Sequence, residues 1–573
     1  MTITTYTPEV VPQAPAAPAP TPLVGDVWWL RIGILLLVIW LIASIALPLW
    51  VLLSKSFQNA DGAFIGLANY IRYFSTPALF GSIFNSVGVA ALTTLIVIPA
   101  AFVYAFALTR STIPFKGLFY ALALLPVFAP SLLSAISLIY LFGNQGLLKD
   151  ALMGASIYGP IGIVIAQVFY CFPHALIILV AALSLSDARL YEAAEALGTS
   201  KRRVFTTITL PGAKYGLINA MFVVFTLVVT DFGIAKVIGG QFNVLATDAY
   251  KQVVGQQNFE MGAVVGMVLL LPAVLAFVID RIAQRRQVAL LSARAVPLQP
   301  KRHLVRDLSL GAYCLFVGGL IAIVLGVAIW ASFITYWPYN LTPTLKNYAF
   351  STYDPEGWSS YFNSVMMALA AAVFGTAIVF TGAYLLEKTK VFSAGRFIAH
   401  LLAMLPMAVP GLVLGLGYVF FINASWNPLN IFYGTLTVLV VNSIAHFYTV
   451  SHITALTALK QIDPEFESVS ASLKVPFWRT FARVTVPISL PAILDIAIYM
   501  FVNALMTVSA VIFLYGPATK LASVAIVHMD EAGSTAAAAA MASMIVATAL
   551  SAKLLHVFLD RVLFTRWQAW RKR

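Results

Sequence analysis

The sequence predicts an all-α integral membrane protein, with twelve transmembrane helices arranged as two parallel six-helix repeats. Three observations carry that prediction. First, of 573 residues 61% are hydrophobic and 10% charged, whereas a soluble domain covers its surface with about 25% charged residues. Second, mean hydropathy is +0.90, and apolar stretches recur at the length of about 20 residues that a helix needs to cross ~30 Å of hydrocarbon. Lipid offers the backbone no hydrogen-bond partner, so each stretch should be helical. Third, short motifs recur in order at a nearly constant distance along the chain.

Within residues 1–25, PEVVPQAPAAPAPTP is a low-complexity Pro/Ala-rich stretch; it cannot pack a core and is expected to be disordered. No basic region precedes an apolar one there, so it does not read as a secretory signal. Candidate spans follow near 31–54, 82–108, 118–142, 157–183, 216–238 and 260–280. Six more lie near 309–334, 361–386, 397–421, 431–456, 489–513 and 537–560. The expected organisation is a first six-span domain at 26–290, a basic linker at 291–307 and a second six-span domain at 308–573. Pro126, Pro130, Pro406 and Pro410 should kink spans three and nine and free carbonyls that could line a cavity. Cys171 and Cys314 support neither a disulfide framework nor a metal site and should pack as small hydrophobes.

The repeat is visible in residues. FNSVGVAAL at Phe84 recurs as FNSVMMALA at Phe362, LANYIRYF at Leu67 as LKNYAF at Leu345, and LPVFAP at Leu125 as LPMAVP at Leu405; TITLP ending at Pro211 pairs with RVTVP ending at Pro487. A six-span unit has an even number of crossings, so two copies face the same way about an axis along the membrane normal. Charge sets the orientation. Only Lys55, Arg72, Lys149, Lys236, Lys251, Lys346 and Lys520, of 35 lysines and arginines, fall outside if both termini are cytoplasmic, a strong positive-inside bias. The formal charge of +13 then reflects topology and attraction to anionic lipid heads, with no need of nucleic acid.

Between spans four and five, EAAEALGTSKRRVFTTITLP runs from Glu192 to Pro211. Asp187 can cap a helix of strong formers. Gly198 can end it, and Ser200 can cap a second, basic helix from Lys201, with Pro211 preceding span five. A short helix-turn-helix should project from the bundle; the plainer alternatives are a loop that folds back and an interfacial helix on lipid heads.

The spacing Glu192-Ala193-Ala194, three residues, Gly198, nine residues, Ile208, one residue, Leu210-Pro211 resembles the EAA loop of bacterial ABC importer permeases at every specified position. The resemblance covers both halves, from about 30 to 565, and is to the branch in which two six-span domains share one chain. Within that branch, LPLWVLLSKSF, LFGNQGLL and LANYIRYF are most similar to permeases of 2-aminoethylphosphonate importers; fused permeases for ferric iron share much of the pattern. The resemblance implies the fold of type I importer permeases in a bacterial inner membrane. It implies coupling helices that dock on two ATPase subunits, which bind ATP and magnesium, and a periplasmic or lipid-anchored binding protein that delivers a small solute. No cofactor and no catalytic residue is expected on this chain. The second loop departs from the motif. Aligning Pro487 with Pro211 places Ser468 at Glu192 and Lys474 at Gly198, with Glu467 one position early. It keeps a capping Asp463, but is expected to lack the left-handed turn that glycine favours.

Ionisable and polar residues inside spans are the candidates for a solute pathway: Asp231 with Asn219, Thr226 and Thr230 in span five, Asp495 with Asn503, Thr507 and Ser509 in span eleven, and Asn85 and Asn363 in the repeated FNS. The competing reading is interhelical hydrogen bonding. His446 and His452 in span ten are expected to pack between helices rather than to hold a metal. No nucleotide-binding loop occurs in the sequence. A secondary transporter would need a coupling-ion site and has no use for an EAA loop. An intramembrane enzyme would need a catalytic pair within the spans, and none is found.

Overall fold

The computed structural model describes residues 24–288, 296 and 298–564. Eight helices are long and apolar enough to cross a membrane, and four further pairs are bent at a short break; counting each pair once gives the twelve spans expected. Residues 1–23 of the N-terminal tail and residues 291–295 and 297 of the linker lie outside the described residues. The expected domain edges shift where they can be seen. Helix Val24–Leu41 begins inside the proposed tail, and helix Leu304–Ser332 begins inside the proposed linker.

The proline prediction understates the result. Spans three and nine are broken, with Lys116–Phe128 and Ser131–Phe142 meeting at 100° and Ser393–Ala408 and Gly411–Ile422 at 117°. The residue before a proline is pushed from helical to extended backbone, and Ala129 and Val409 adopt that conformation before Pro130 and Pro410. The Ala129 N–H still donates to the Pro126 carbonyl (3.2 Å), as Val409 does to Pro406 (3.2 Å). Spans ten and eleven bend too, by 55° and 77°.

Span five differs from its expected extent. A single helix runs from Lys201 to Thr230, so Pro211 sits within it rather than before it. Proline lacks an N–H and crowds the preceding turn. A wider π-helical turn at Phe205–Thr209 accommodates it, and Phe481–Thr485 does the same before Pro487. The helix stops at Asp231 and a short helix, Gly233–Ile238, follows.

The two halves interlock through their first spans. Span one (Asp26–Ser56) packs on span nine of the other half, and span seven (Leu304–Ser332) packs on span three of the first. The Tyr418 hydroxyl donates to the Ser44 carbonyl across that contact (2.7 Å), and Tyr313 donates to Ala100 (2.9 Å). Cys171 and Cys314 are buried and free, as expected.

Close approach of spans one and nine depends on Gly417, where an added Cβ would lie 2.8 Å from the Pro48 carbonyl oxygen. Gly417→Ala is therefore expected to destabilise the chain by about 1–3 kcal/mol, the usual cost of overpacking. Gly319→Ala on span seven, where the added carbon meets nothing within 4 Å, should be neutral. Thermal inactivation of the detergent-solubilised protein, followed by gel filtration, checks both.

Candidate functional site

Both loops between the fourth and fifth spans of each half form the expected helix-turn-helix. In the first, Asp187 caps helix Ala188–Ala196 by accepting the Arg189 N–H (3.1 Å). The helix ends with Gly198 N–H on the Glu195 carbonyl (3.0 Å) and Thr199 N–H on Ala194 (2.9 Å), the bonding pattern of a left-handed C-terminal turn. Gly198 has φ +63. Ser200 occupies the cap position of the next helix but makes no side-chain capping bond.

The second loop corrects an expectation. Lys474 N–H bonds Ala471 (3.1 Å) and Val475 N–H bonds Ser470 (2.9 Å), with Lys474 at φ +55. The left-handed turn is thus kept on a residue that pays for it in strain, and the Asp463 carboxylate accepts the Glu465 N–H (2.9 Å) as expected. What the second loop loses is charge on the outer face. Glu192 is exposed, whereas the Ser468 hydroxyl turns back to the Pro464 carbonyl (3.1 Å). Glu467 points inward, 3.4 Å from the Lys388 ammonium, and does not replace it. Ala193 and Gly198 are exposed, Ala194 is buried, Ile208 is half-buried and Leu210, Pro211 and Pro487 lie exposed on the continuing helices. One pair escaped the sequence reading: Leu197 and Leu473 stand at the tips of the two turns, 82% and 71% exposed. Their equivalence in the repeat was the available signal.

The first loop is tied to the linker and the second to the opposite half. The Ala188 N–H donates to the Val296 carbonyl (2.9 Å) and Lys301 pairs with Glu195 (2.7 Å), so the linker lies along the first loop. On the second loop the Phe477 N–H donates to Asp26 of the first span (3.0 Å).

The polar candidates in the spans separate. Asn85 donates to the Asn243 carbonyl (2.9 Å) and the adjacent Ser86 hydroxyl accepts the Leu245 N–H (2.8 Å). Asn363 donates to Ala518 and Lys520 (3.0 and 3.1 Å), and Ser364 accepts from Ala522 (2.7 Å). The repeated FNS thus holds the start of helix Leu245–Tyr250 in the first half and of helix Ala522–Glu531 in the second. The Asp495 carboxylate is 57% exposed and pairs with His556 of span twelve (3.2 Å). Asn503, Thr226 and Thr230 bond carbonyls of their own helices.

Asp231 is placed differently. Its carboxylate accepts the Ile234 N–H (2.9 Å) at the helix break and the Gln167 amide from span four (3.0 Å). One turn along span four, Tyr170 lies within electrostatic reach of Asp231 and of Tyr499 in the second half. Asn219 lies lower on the same helix with its carbonyl oxygen buried and unpartnered among the described residues. Gln167, Tyr170 and Tyr499 were not singled out from sequence. His446, at Tyr170's place in the repeat, and His452 pack against Phe447 and Tyr448. Their ring nitrogens are not all hydrogen-bonded. Among the described residues no group of three His, Cys, Asp or Glu side chains could hold a metal.

The family described as "Binding-protein-dependent transport system inner membrane component" matches residues 98–288 and again 378–564, each match ending with the last span of its half. The chain belongs to this family. Each copy of this transport component contains one helix-turn-helix loop. The chain is similar to FbpB 1 of Haemophilus influenzae, a "putative ferric transport system permease protein", at 29% identity over 74% of this chain and 69% of that one. FbpB of Actinobacillus pleuropneumoniae, a ferric transport system permease protein, is 28% identical over 78% of this chain and 67% of its own. A spermidine/putrescine permease, PotB of H. influenzae, aligns at 26% identity with 44% of this chain and 93% of itself.

In this inner membrane component the end opposite the loops is closed across the halves. Lys236 pairs with Glu531 of the second half and lies over the Tyr250 ring (4.6 Å to the centroid). Tyr250 stacks on Phe513 (6.2 Å), and beside them burial pushes the Asp530 carboxyl up to about 6.

Because both turns are left-handed, a proline, fixed near φ −65°, cannot fit either. Gly198→Pro and Lys474→Pro should therefore weaken ATPase capture to a similar degree, and Lys474→Gly should stabilise its loop by about 1 kcal/mol. Glu192→Ala should weaken capture more than Ser468→Ala does. Pull-down of ATPase subunits on the five variants checks the set; a harmless Lys474→Pro would show that the second turn is abandoned on docking.

Proposed function

We propose that this chain supplies both halves of the translocation pathway of an ATP-driven importer. One observation supports this most directly: two helix-turn-helix loops, built on the same left-handed turn, project from the same end of two like bundles. Each loop docks one ATPase subunit, which carries the ATP and magnesium. A solute-binding protein docks at the far end, where the cross-half pair Lys236–Glu531 separates for loading. Both termini and both loops are cytoplasmic on the charge balance. Closure of the ATPase pair draws the loops together and rocks the halves. Native mass spectrometry of the assembled complex should find one copy of this chain with two ATPase subunits; a dimer of this chain would overturn the arrangement.

For the cargo, the reading carried from the sequence is 2-aminoethylphosphonate. Its support is the resemblance of Leu47–Phe57, Leu67–Phe74 and Leu141–Leu148, segments at or near the end where solute is delivered. The second reading is ferric iron, favoured by the names of three relatives that align with 74–84% of the chain. Relatives at similar identity carry polyamine and thiamine names as well, so identity at this level does not select a cargo. Proteoliposomes with the ATPase and the cognate binding protein should accumulate 2-aminoethylphosphonate. Accumulation of ferric iron instead would replace the cargo and keep the permease.

Asp231 is the pathway residue this reading proposes, facing the seam between the halves with Tyr170 and Tyr499. Asparagine keeps an acceptor for the Ile234 N–H and removes the charge. Asp231→Asn should therefore lower uptake at least about tenfold, a loss expected when a charge-assisted hydrogen bond is removed, with ATPase assembly intact. Unchanged uptake would confine Asp231 to holding the helix break.

A further inference from the structure

The two repeats hold a cation at the same place and compensate it differently. In the second half, Lys388, just past the end of span eight, donates to the Ile462 carbonyl (2.8 Å) and lies 3.4 Å from the Glu467 carboxylate. Arg110 occupies the equivalent place in the first half, donating to the Leu183 carbonyl (2.7 Å) with its guanidinium 5.2 Å from the centre of the Tyr191 ring. Tyr191 stands where the second half has Glu467, so the counter-charge is missing. Arg110 is only 6% exposed, forms no ion pair among the described residues, and its Nε has no hydrogen-bond partner there. A buried cation in that condition is costly unless an anion reaches it.

A cavity of about 440 Å³ opens on this residue, lined also by Thr109, Lys116, Tyr120, Ser184 and Leu298. Lys116 forms no hydrogen bond or ion pair among the described residues. The nearby Asp307 carboxylate is taken up by Thr112, the His303 N–H (3.1 Å) and Arg306 (2.7 Å). Thr109 and Ser184 spend their hydroxyl protons on their own helices. Arg110 Nε is itself enclosed, so the donors left on the lining are the Lys116 ammonium and the Tyr120 hydroxyl, with the unpaired Arg110 charge behind them, a set suited to an oxyanion.

We propose that this cavity binds one phosphate-sized oxyanion, the counter-charge that Glu467 supplies in the other half. Its source is either free phosphate or the head group of an anionic phospholipid in the leaflet on the coupling-loop side. Bound there, the anion sits against Arg110 and so against Leu183 and Tyr191, at the root of the first coupling loop.

The test uses the full chain in phosphatidylcholine nanodiscs titrated with inorganic phosphate by calorimetry. Beside it, native mass spectrometry of chain extracted from bacterial membranes detects a retained phosphatidylglycerol. Saturable one-to-one phosphate binding supports the free-anion source; no phosphate binding but one retained phosphatidylglycerol supports the lipid source. In either case Lys116→Gln should weaken binding about tenfold or more. Tyr191→Glu, which installs the second half's carboxylate, should abolish it. Arg110→Gln carries a risk to folding that these two variants avoid. Absence of both ligands, or binding indifferent to Lys116→Gln and Tyr191→Glu, overturns the proposal.

Discussion

Hydrocarbon cannot hydrogen-bond a peptide group, so every interruption of a helix within the bundle must be satisfied by the protein itself. An unmet backbone group costs several kcal/mol in such surroundings. The structure is organised around meeting that requirement at its breaks. The Asp231 carboxylate takes the Ile234 N–H where span five stops. Ser86 and Ser364 take the first N–H groups of helices Leu245–Tyr250 and Ala522–Glu531. The prolines of spans three and nine remove donors, and short 3₁₀ closures on Pro126 and Pro406 recover part of the loss.

The duplication acts as an internal control on what each residue contributes. Where a backbone feature recurs with different side chains, the geometry is what the fold requires; Gly198 and Lys474 in the same left-handed turn are the clearest case. Where a polar residue recurs with the same partner, as Asn85 and Asn363 do, the role is structural. Where side chains differ while their surroundings match, as at Tyr191 and Glu467 or at Tyr170 and His446, the halves have diverged in chemistry. On the pathway proposed above, the seam is accordingly asymmetric, with an acid at Asp231 and none at the equivalent Thr507.

The spans, the repeat, the positions of the proline bends and both helix-turn-helix loops were legible in the sequence because each rests on a local rule: apolar length, proline sterics or helix capping. The left-handed turn at Lys474 was not. Local propensity argues against lysine there, and the tertiary frame that fixes the end of helix Glu465–Ser472 overrides it. The contact of Asp495 was hidden for a related reason. Polarity marks a residue as unusual in a span but not which face it occupies, and its partner His556 is distant in sequence. The asparagines of FNS were similarly ambiguous until Asn243, Ala518 and Lys520 supplied the carbonyls they hold. Gln167 and Tyr170 carried no signal beyond being polar in an apolar helix.

The same geometry bears on how force would pass from loop to seam. In the first half one helix of 30 residues runs from Lys201, at the coupling loop, to Thr230, beside Asp231. At 1.5 Å per residue that is a strut of roughly 45 Å, and the π-turn that admits Pro211 leaves it unbroken. A shift of the loop is delivered to Asp231 with little to absorb it. In the second half the equivalent path turns through 77° between Ile488 and Leu490, where Ser489 precedes Leu490 and Pro491. A bend can flex, so the same shift at the second loop need not reach Thr507 undiminished. The half with the intact EAA sequence is also the half with the unbroken helix and the acidic residue at its end. On the coupling proposed here, the first half drives the seam and the second half serves as the surface it moves against.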